Sequence, residues 1–187
     1  MSDTDRKYYH MEIAGCSREL PICPISDTMD IAGFVMLGDV EITEHTAKAL
    51  LEKCPEHDVI ITAETKGIPL AYEMARQGCR RYVVARKSVK AYMRNPIHVE
   101  VKSITTDHVQ KLFLAEDDYR DLKGKRVLIV DDVISTGESL AAIESLVLQF
   151  GGVIVGRACV LAEGDAMHRD DIIFLEPLPL FTKEENA

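Results

Sequence analysis

Short, continuous runs of apolar residues constrain the fold of this chain more than any other feature. DVIIT (58–62), RYVVA (81–85) and RVLIV (126–130) are short for helices, and they lack the polar–apolar alternation of a half-exposed strand. Such runs are typical of strands that are buried on both faces of a parallel sheet. Apolar residues at helical spacing lie before the first run, in 43–54, and between the first two runs, in 67–78. We therefore predict an α/β fold, a doubly wound and mainly parallel sheet with helices on both faces.

The segments around these runs predict the rest of the fold. Thr43 is the expected N-cap of the first helix. VEVKSI and HVQKLFL alternate polar and apolar residues and predict a β-hairpin. Residues 1–40 are broken by prolines and glycines, and we expect them to form a small, irregular N-terminal hood. Residues 41–187 are predicted to form the core of what is a single domain. Three further elements are expected in the core: a helix with an apolar stripe at Leu140, Ile143, Val147 and Phe150, and the strands GVIVGRACVLA and DIIFLE.

Composition excludes several classes of protein. The formal net charge of −9 argues against a surface for nucleic acid or for a membrane. No run approaches the roughly 20 apolar residues that span a bilayer, and the charged N-terminus lacks the apolar segment of a signal peptide. The five cysteines include no CxxC pair, and an odd number cannot all pair within one chain. We expect reduced thiols and a cytoplasmic protein.

Two adjacent acids, Asp131 and Asp132, directly follow the run RVLIV. A carboxylate at the end of a parallel strand can accept hydrogen bonds from two vicinal hydroxyls, such as those of a ribose. Residues 135–139 then bring hydroxyls and a glycine to the start of a predicted helix, where free backbone amides can hold a phosphate. The stretch 127–139 therefore predicts a site for a phosphorylated sugar.

Two other interpretations fit part of this stretch. An ordinary strand–loop–helix turn with Ser or Thr capping would account for residues 135–139 alone. A response-regulator receiver also has an acid pair after its first strand, near the start of its domain, and carries a phosphoacceptor Asp on a later strand. No clear Asp ends the strands predicted after Asp132. The GxGxxG and GxxxxGK[ST] nucleotide-binding motifs are both missing.

VLIVDDVISTGES (127–139) resembles the signature with which the type I phosphoribosyltransferases bind 5-phosphoribosyl 1-pyrophosphate (PRPP). The resemblance is clearest over residues 58–161. It implies that Asp131 and Asp132 hold the ribose and take part in catalysis, while the loop after them binds the 5′-phosphate. The PRPP-binding residues that it implies are Asp131, Asp132, Val133, Ile134, Ser135, Thr136, Gly137, Glu138 and Ser139.

The same resemblance implies a pyrophosphate site. The loop after DVIIT is similar to the acidic-small-Arg-Gly loop of adenine-type members, with Lys66 in the place of arginine. Lysine keeps the charge but loses the bidentate geometry. A basic segment follows RYVVA, and PRPP requires converging cations because it carries several negative charges. The expected pyrophosphate-binding residues are Glu64, Thr65, Lys66, Gly67, Arg86, Lys87 and Lys90. Mg²⁺ is the expected cofactor, held mainly through PRPP.

Residues 88–108 resemble the flexible hairpin loop that closes over PRPP in this family. Adenine-type members carry a Glu in this region that handles the proton of the base. Glu100 and Asp107 are both candidates for this catalytic role, and we favour Glu100. Closure of the loop would exclude water from the reacting carbon.

The choice of base rests on smaller differences within the family. Members that use hypoxanthine and guanine carry an Asp where this chain has Ser135, and SVKAYMRNP does not match the loop of the orotate enzymes. The hood of adenine-type members stacks a Phe on the base, and Met29, Asp30 or Ile31 falls at that position. We therefore expect residues 29–31 to contact the base, with adenine favoured and xanthine or another base as the alternative.

The resemblance implies transfer of the phosphoribosyl group of PRPP to a purine, giving a nucleoside monophosphate and pyrophosphate in purine salvage. The alternative of another class is a non-catalytic PRPP-sensing regulator. Such regulators usually carry a DNA-binding module, for which we expect no room before the core helices near residue 43. The acidity of the chain also opposes DNA binding. The family commonly forms dimers, so a homodimer is expected.

Overall fold

The computed structural model describes residues 7–102 and 109–183. The helices are α1 (Val40–Lys53), α2 (Ile68–Gln77), α3 (Glu116–Leu122) and α4 (Glu138–Gln149). The strands are β1 (Tyr8–Ile13), β2 (Cys16–Pro24), β3 (Met29–Ala32), β4 (Val59–Ala63), β5 (Tyr82–Ala85), β6 (Ile97–Lys102), β7 (Val109–Leu114), β8 (Arg126–Ile134), β9 (Val153–Glu163), β10 (Ile173–Leu178) and β11 (Leu180–Thr182). A 3-10 helix, Gly164–His168, follows β9.

Five parallel strands form the central sheet in the order β10-β9-β8-β4-β5. The chain enters this sheet at β4 and adds β5 at one edge. It then crosses to the other side of β4 to form β8, β9 and β10. Helices α1 and α2 pack on one face of the sheet and α4 packs on the other. The predicted doubly wound fold is therefore confirmed, and all three short apolar runs contribute strands to it.

Neighbouring residues of the central strands point to opposite faces of the sheet. Ile60 and Leu128 pack with residues of α1 and α2, whereas Ile61 and Ile129 pack with residues of α4. All four side chains are at most 1% exposed. Burial of each such side chain contributes about 1.5–3 kcal/mol to folding. Because both faces are covered, successive residues in the middle of β4 and β8 are apolar.

The N-terminal segment is regular, so the prediction of an irregular stretch over residues 1–40 is wrong for the described part. β1, β2 and β3 form an antiparallel sheet that β11 completes from the other end of the chain. The prolines do not break it, because Pro21 pairs with the first residue of β1 and Pro24 is the last residue of β2. The hood is thus built from both ends of the chain. A division at residue 40 remains a proposal.

The predicted hairpin exists, formed by β6 and β7. It is attached to the segment after β5 by two backbone hydrogen bonds. The amide of Arg86 donates to the carbonyl of Phe113 at 2.9 Å, and the amide of Phe113 donates to the carbonyl of Arg86 at 2.8 Å. Residues 103–108, and with them the candidate Asp107, lie outside the described residues.

All five cysteines are free, as expected. Burial raises the pKa of Cys54 to about 11 and that of Cys159 to about 12, so both thiols stay protonated at neutral pH. Among the described residues, no helix combines the length and the apolar character needed to cross a membrane.

Helix α1 begins earlier than predicted, and its N-cap is Asp39 instead of Thr43. Asp39 Oδ1 accepts a hydrogen bond from the amide of Ile42 at 3.1 Å. Thr43 lies inside the helix, where its hydroxyl donates to the carbonyl of Asp39 at 2.7 Å. Arg18 of β2 binds both carboxylate oxygens of Asp39, at 2.7 and 2.9 Å, and this pair lowers the pKa of Asp39. The pair therefore joins the N-terminal sheet to α1.

We predict that Asp39→Ala lowers the free energy of unfolding by about 1–2 kcal/mol, because the helix loses its cap and the sheet loses the ion pair. Asp39→Asn keeps a capping oxygen and should lose less. Since the pKa of Asp39 is lowered by folding, its charge stabilises the protein above the unfolded pKa of about 3.9. The difference between wild type and Asp39→Asn should therefore shrink toward pH 3. Urea unfolding at pH 7 and pH 3 measures both effects, and equal stabilities of all three proteins would contradict this role.

Candidate active site

The candidate site lies where the strand order of the central sheet reverses. β4 and β8 are neighbours, but the chain leaves β4 toward one edge and leaves β8 toward the other. A crevice forms between the loops at the carboxyl ends of such strands, and it is the usual ligand site of open α/β sheets. Here those loops are residues 64–67 after β4 and residues 135–137 after β8.

The acid pair lies within β8, which continues to Ile134 instead of ending at Val130 as predicted. The strand is longer because β9 pairs with it beyond the acids, as Asp131 with Cys159 and Ile134 with Ala162. Asp132 is only 3% exposed. Ile134 is buried among residues of α4, and Val133 is half-buried against residues of the face that α1 and α2 cover.

The side chain of Asp131, a residue of β8, lies against the start of α2. Its Oδ1 accepts a hydrogen bond from the amide of Asp132 at 2.9 Å. A Cβ atom on Gly67 would lie 2.9 Å from the same oxygen and would collide with the side chain of Thr62. Glycine at position 67 is therefore what allows α2 to begin beside the acid pair. Burial and the neighbouring Asp132 carboxylate raise the pKa of Asp131, and Lys66 partly opposes this shift.

Lys66 connects the loop after β4 to the acid pair. Its Nζ lies 2.8 Å from Asp132 Oδ2. This ion pair lacks the geometry of a hydrogen bond, and Asp132 Oδ2 has no hydrogen-bond donor among the described residues. The Lys66 ammonium therefore balances the charge of this oxygen without giving it a well-directed hydrogen bond. A hydroxyl group of a ligand would satisfy it.

The start of α4 is open to an anion. Gly137 adopts a left-handed conformation with φ of 78°, and no side chain caps the helix. The first amides of a helix have no partners within the helix and carry a partial positive charge. Ser135 and Thr136 are exposed beside them, and Ser139 is half-buried. These groups are suited to a phosphate.

The predicted pyrophosphate residues after β5 gather around one acid, Glu64. Glu64 Oε2 accepts a hydrogen bond from the amide of Lys87 at 3.0 Å. Arg86 and Lys90 approach Glu64 Oε1 at 3.5 and 3.7 Å. The Lys87 amide and these two cations lower the pKa of Glu64. The structure thus brings the loops after β4 and β5 together. Around Glu64, the cations Arg86 and Lys90 outnumber the acid. Thr65 is exposed in the loop after β4.

The proposed catalytic residue Glu100 lies on β6, away from the strands of the central sheet. It faces Lys111 across the hairpin and forms an ion pair with it. This pairing lowers the pKa of Glu100. Its side chain is 47% exposed. Glu100 is therefore an ionised surface carboxylate in this conformation, and its catalytic role stays a prediction.

The proposed base-binding residues Met29, Asp30 and Ile31 form most of β3. They lie between β2 and β11 in the hood sheet, where Asp30 pairs with Phe181 and Ile31 with Leu180. Lys183 Nζ lies 3.0 Å from Asp30 Oδ1. All three residues are half-buried, and contact with a base stays a prediction.

Two charged residues near the crevice were missed from the sequence. Glu163 is the last residue of β9, the strand next to β8; burial raises its pKa and Lys66 acts in the opposite direction. An acid directly after an apolar run was the available signal, as for the acid pair. Arg169 follows the 3-10 helix and reaches Gly137. No local pattern in the sequence indicated that approach.

A divalent cation would find few protein ligands here. Among the described residues, no group of three or more His, Cys, Asp or Glu side chains is arranged to hold a metal ion. Asp131 and Asp132 are hard oxygen donors of the type that Mg²⁺ prefers, and one oxygen of Asp132 lacks a donor. These residues fit a magnesium ion that takes most of its ligands from a bound substrate.

The comparisons with known proteins agree with this geometry. The family described as "Phosphoribosyl transferase domain" matches residues 36–178. A hypoxanthine/guanine phosphoribosyltransferase of Methanococcus voltae is 38% identical over 148 residues, which cover 77% of this chain and 71% of that protein. An adenine phosphoribosyltransferase structure from Rhodothermus marinus has a TM-score of 0.65 and is 21% identical, covering 92% of this chain and 94% of that chain. At this identity the structural match shows the fold alone.

Another relative is named as a regulator of transcription and not as an enzyme. A probable purine biosynthesis transcriptional regulator, PurR, of Streptococcus pneumoniae is 30% identical over 143 residues, which cover 71% of this chain and 50% of that protein. The chain thus spans about half the length of this regulator. The family match covers most of the chain and includes both the acid pair and the loops that meet it. We conclude that the chain belongs to the phosphoribosyl transferase domain family.

Proposed function

We propose that this protein transfers the 5-phosphoribosyl group of PRPP to a purine base. The observation that carries the proposal is the surroundings of Asp131 and Asp132. The pair contacts the loop after β4 through Lys66 and Gly67, and it leads directly into the uncapped start of α4. PRPP presents the matching groups in the same order, with a pyrophosphate, two ribose hydroxyls and a 5′-phosphate.

In the proposed reaction, a ring nitrogen of the base forms a bond to C1 of the ribose. The bond between C1 and the pyrophosphate oxygen breaks, and the nitrogen loses its proton, for which Glu100 is the proposed acceptor. Lys66, Arg86 and Lys87 stabilise the charge that develops on pyrophosphate. Asp131 and Asp132 orient the ribose through its hydroxyls. Magnesium bound with PRPP supplies charge neutralisation at the leaving group.

Adenine is the proposed base. Ser135 supports it, since the resemblance implies an Asp at this position in members that use hypoxanthine and guanine. Residues 29–31 of the hood sheet are the proposed contacts with the base, although the stacking Phe of adenine-type members is not among them. The name of the Methanococcus voltae relative keeps hypoxanthine and guanine as the competing choice. Xanthine is a further alternative.

A non-catalytic PRPP-sensing regulator is the second candidate function. The Streptococcus pneumoniae relative, a probable transcriptional regulator, favours it. Both candidates require PRPP to bind at Asp131 and Asp132, and only the enzyme releases pyrophosphate. The net charge of −9 supports the enzyme, because a surface for DNA would be basic.

We further propose a cytoplasmic homodimer that binds neither nucleic acid nor membranes. The five free cysteines support a reducing compartment. The resemblance to a commonly dimeric family supports the dimer.

The first prediction from the proposed function concerns the reaction itself. With PRPP and Mg²⁺, addition of adenine should release pyrophosphate, and the other bases should release less. The measurement uses adenine, hypoxanthine, guanine, xanthine and orotate separately, with controls that omit base or Mg²⁺. PRPP that raises the melting temperature without release of pyrophosphate would favour the regulator. If the protein does not bind PRPP and releases no pyrophosphate with any of the five bases, the proposed function is refuted.

The second prediction concerns the acid pair. Asp131→Asn combined with Asp132→Asn should lower kcat/KM for PRPP by about 100-fold or more, because the ribose hydroxyls lose charged acceptors. The fold should persist, since asparagine has nearly the same shape. Asp117→Asn on α3, an exposed acid, is the matched control and should retain full activity. Unchanged kcat/KM in the double variant would show that the acid pair does not bind the ribose of PRPP.

The third prediction follows from the raised pKa of Asp131. An acid whose pKa is raised by folding destabilises the protein once the pH exceeds its unfolded pKa of about 3.9. Asp131→Asn should therefore raise the melting temperature at pH 8 by roughly 2–4 °C for each kcal/mol gained. The gain should vanish near pH 4.

Asp58→Asn is the control with the opposite sign. The pKa of Asp58 is lowered to about 2 by its pairing with Arg126, so this variant should lower the melting temperature at pH 8. Thermal unfolding between pH 4 and pH 8 measures both variants without ligand. A lower melting temperature for Asp131→Asn at pH 8 would contradict the electrostatic interpretation of Asp131.

A further inference from the structure

We propose that Arg169 binds the 5′-phosphate of the substrate directly, as a charged addition to the loop that precedes α4. The inference rests on the proposed function, because it assumes that this loop holds a phosphate. It adds a residue that lies outside the 127–139 stretch.

The position of Arg169 follows from the 3-10 helix after β9. This helix ends at His168, and the amide of Arg169 donates to the carbonyl of Ala166 at 3.2 Å. The turn directs the arginine side chain toward the start of α4. Its Nη1 lies 2.9 Å from the place that a Cβ atom on Gly137 would occupy. The guanidinium is therefore in the space beside Gly137, the residue directly before α4.

The guanidinium is fixed by Asp171. Arg169 Nε donates to Asp171 Oδ1 at 2.9 Å, and Nη2 donates to Oδ2 at 2.7 Å. These two parallel hydrogen bonds form the bidentate pair that arginine makes best, and they orient the planar group. Asp171 therefore occupies the Nε and Nη2 side of the guanidinium, and Nη1 is left on the side that faces Gly137.

Nη1 of Arg169 has no acceptor among the residues that the structure describes. A phosphate at the start of α4 would supply an acceptor oxygen and would form a charge-assisted hydrogen bond. A Cβ at position 137 would occupy the space that Nη1 uses, so the glycine keeps the arginine within reach of the loop.

The orientation of Arg169 Nη1, more than the net charge of this region, accounts for the proposed binding of the 5′-phosphate. Arg157 of β9 forms an ion pair with Glu144 of α4 and approaches Asp171 at 3.7 Å. The cluster therefore holds two arginines and two acids. Only Arg169 borders Gly137, so Arg157 has the same charge and the same acidic partner but not the same access.

The experiment compares Arg169→Gln and Arg169→Lys with the matched control Arg157→Gln. Titration with ribose 5-phosphate should show Kd raised by about tenfold or more in Arg169→Gln, the loss expected for a hydrogen bond to a charged group. Arg169→Lys should fall between, since it keeps the charge without the fork. Kd for pyrophosphate should not change in any variant, and Arg157→Gln should bind ribose 5-phosphate as the wild type does. Melting temperatures near the wild-type value verify that each variant is folded.

Two results would overturn the inference alone. The first is an Arg169→Gln variant that binds ribose 5-phosphate with the wild-type Kd. The second is an Arg157→Gln variant whose Kd for ribose 5-phosphate rises as much as that of Arg169→Gln. Wild-type protein that binds neither ribose 5-phosphate nor PRPP would instead refute the proposed function, and the role of Arg169 with it. If Arg169 acts on the 5′-phosphate, KM for PRPP should rise in Arg169→Gln while kcat changes by less.

Discussion

The close packing of Gly67 against Asp131 is the constraint on which the candidate site depends. A side chain at position 67 would collide with Thr62 and press on the Asp131 carboxylate. Because glycine leaves this space free, α2 can begin beside Asp131 of β8, and Lys66 reaches Asp132. Any larger residue would push the loop after β4 away from the acid pair. The parts of the site that would bind pyrophosphate and ribose would then separate.

The electrostatics of this junction are unfavourable by themselves. Two adjacent carboxylates are withdrawn from water in β8, the pKa of Asp131 is raised, and one oxygen of Asp132 lacks a donor. Lys66 offsets part of this cost from one side. Perturbed and incompletely satisfied acids are typical of functional sites, where a ligand provides the missing partners. In the proposed function, the ribose hydroxyls would be such partners.

Cations near the crevice are distributed in a way that suits a molecule charged at both ends. On the β4 and β5 side, Arg86 and Lys90 share the single acid Glu64. On the α4 side, Arg169 is oriented by Asp171 beside Gly137. The chain as a whole has a net charge of −9, so these are local exceptions. In the proposed function, they would hold the two phosphate-bearing ends of PRPP while the acid pair holds its middle.

The sequence by itself determined the central sheet and the acid pair, because both are encoded locally. The middle of a strand that is buried on two faces is apolar on both sides, and two adjacent acids directly after such a run stand out in the sequence. The sequence did not show that β8 continues past the acids to Ile134, because that extension depends on pairing with β9. Tertiary structure decided what depends on segments far apart in the chain. β3 and β11 form one hood sheet from opposite ends, and Arg169 meets Gly137 only because the 3-10 helix after β9 turns back toward α4. The N-cap at Asp39 is another case, since an arginine on β2 completes it. Short-range patterns report burial and local backbone preference, whereas contacts between distant residues are set by how the sheets and helices pack, which no single segment records.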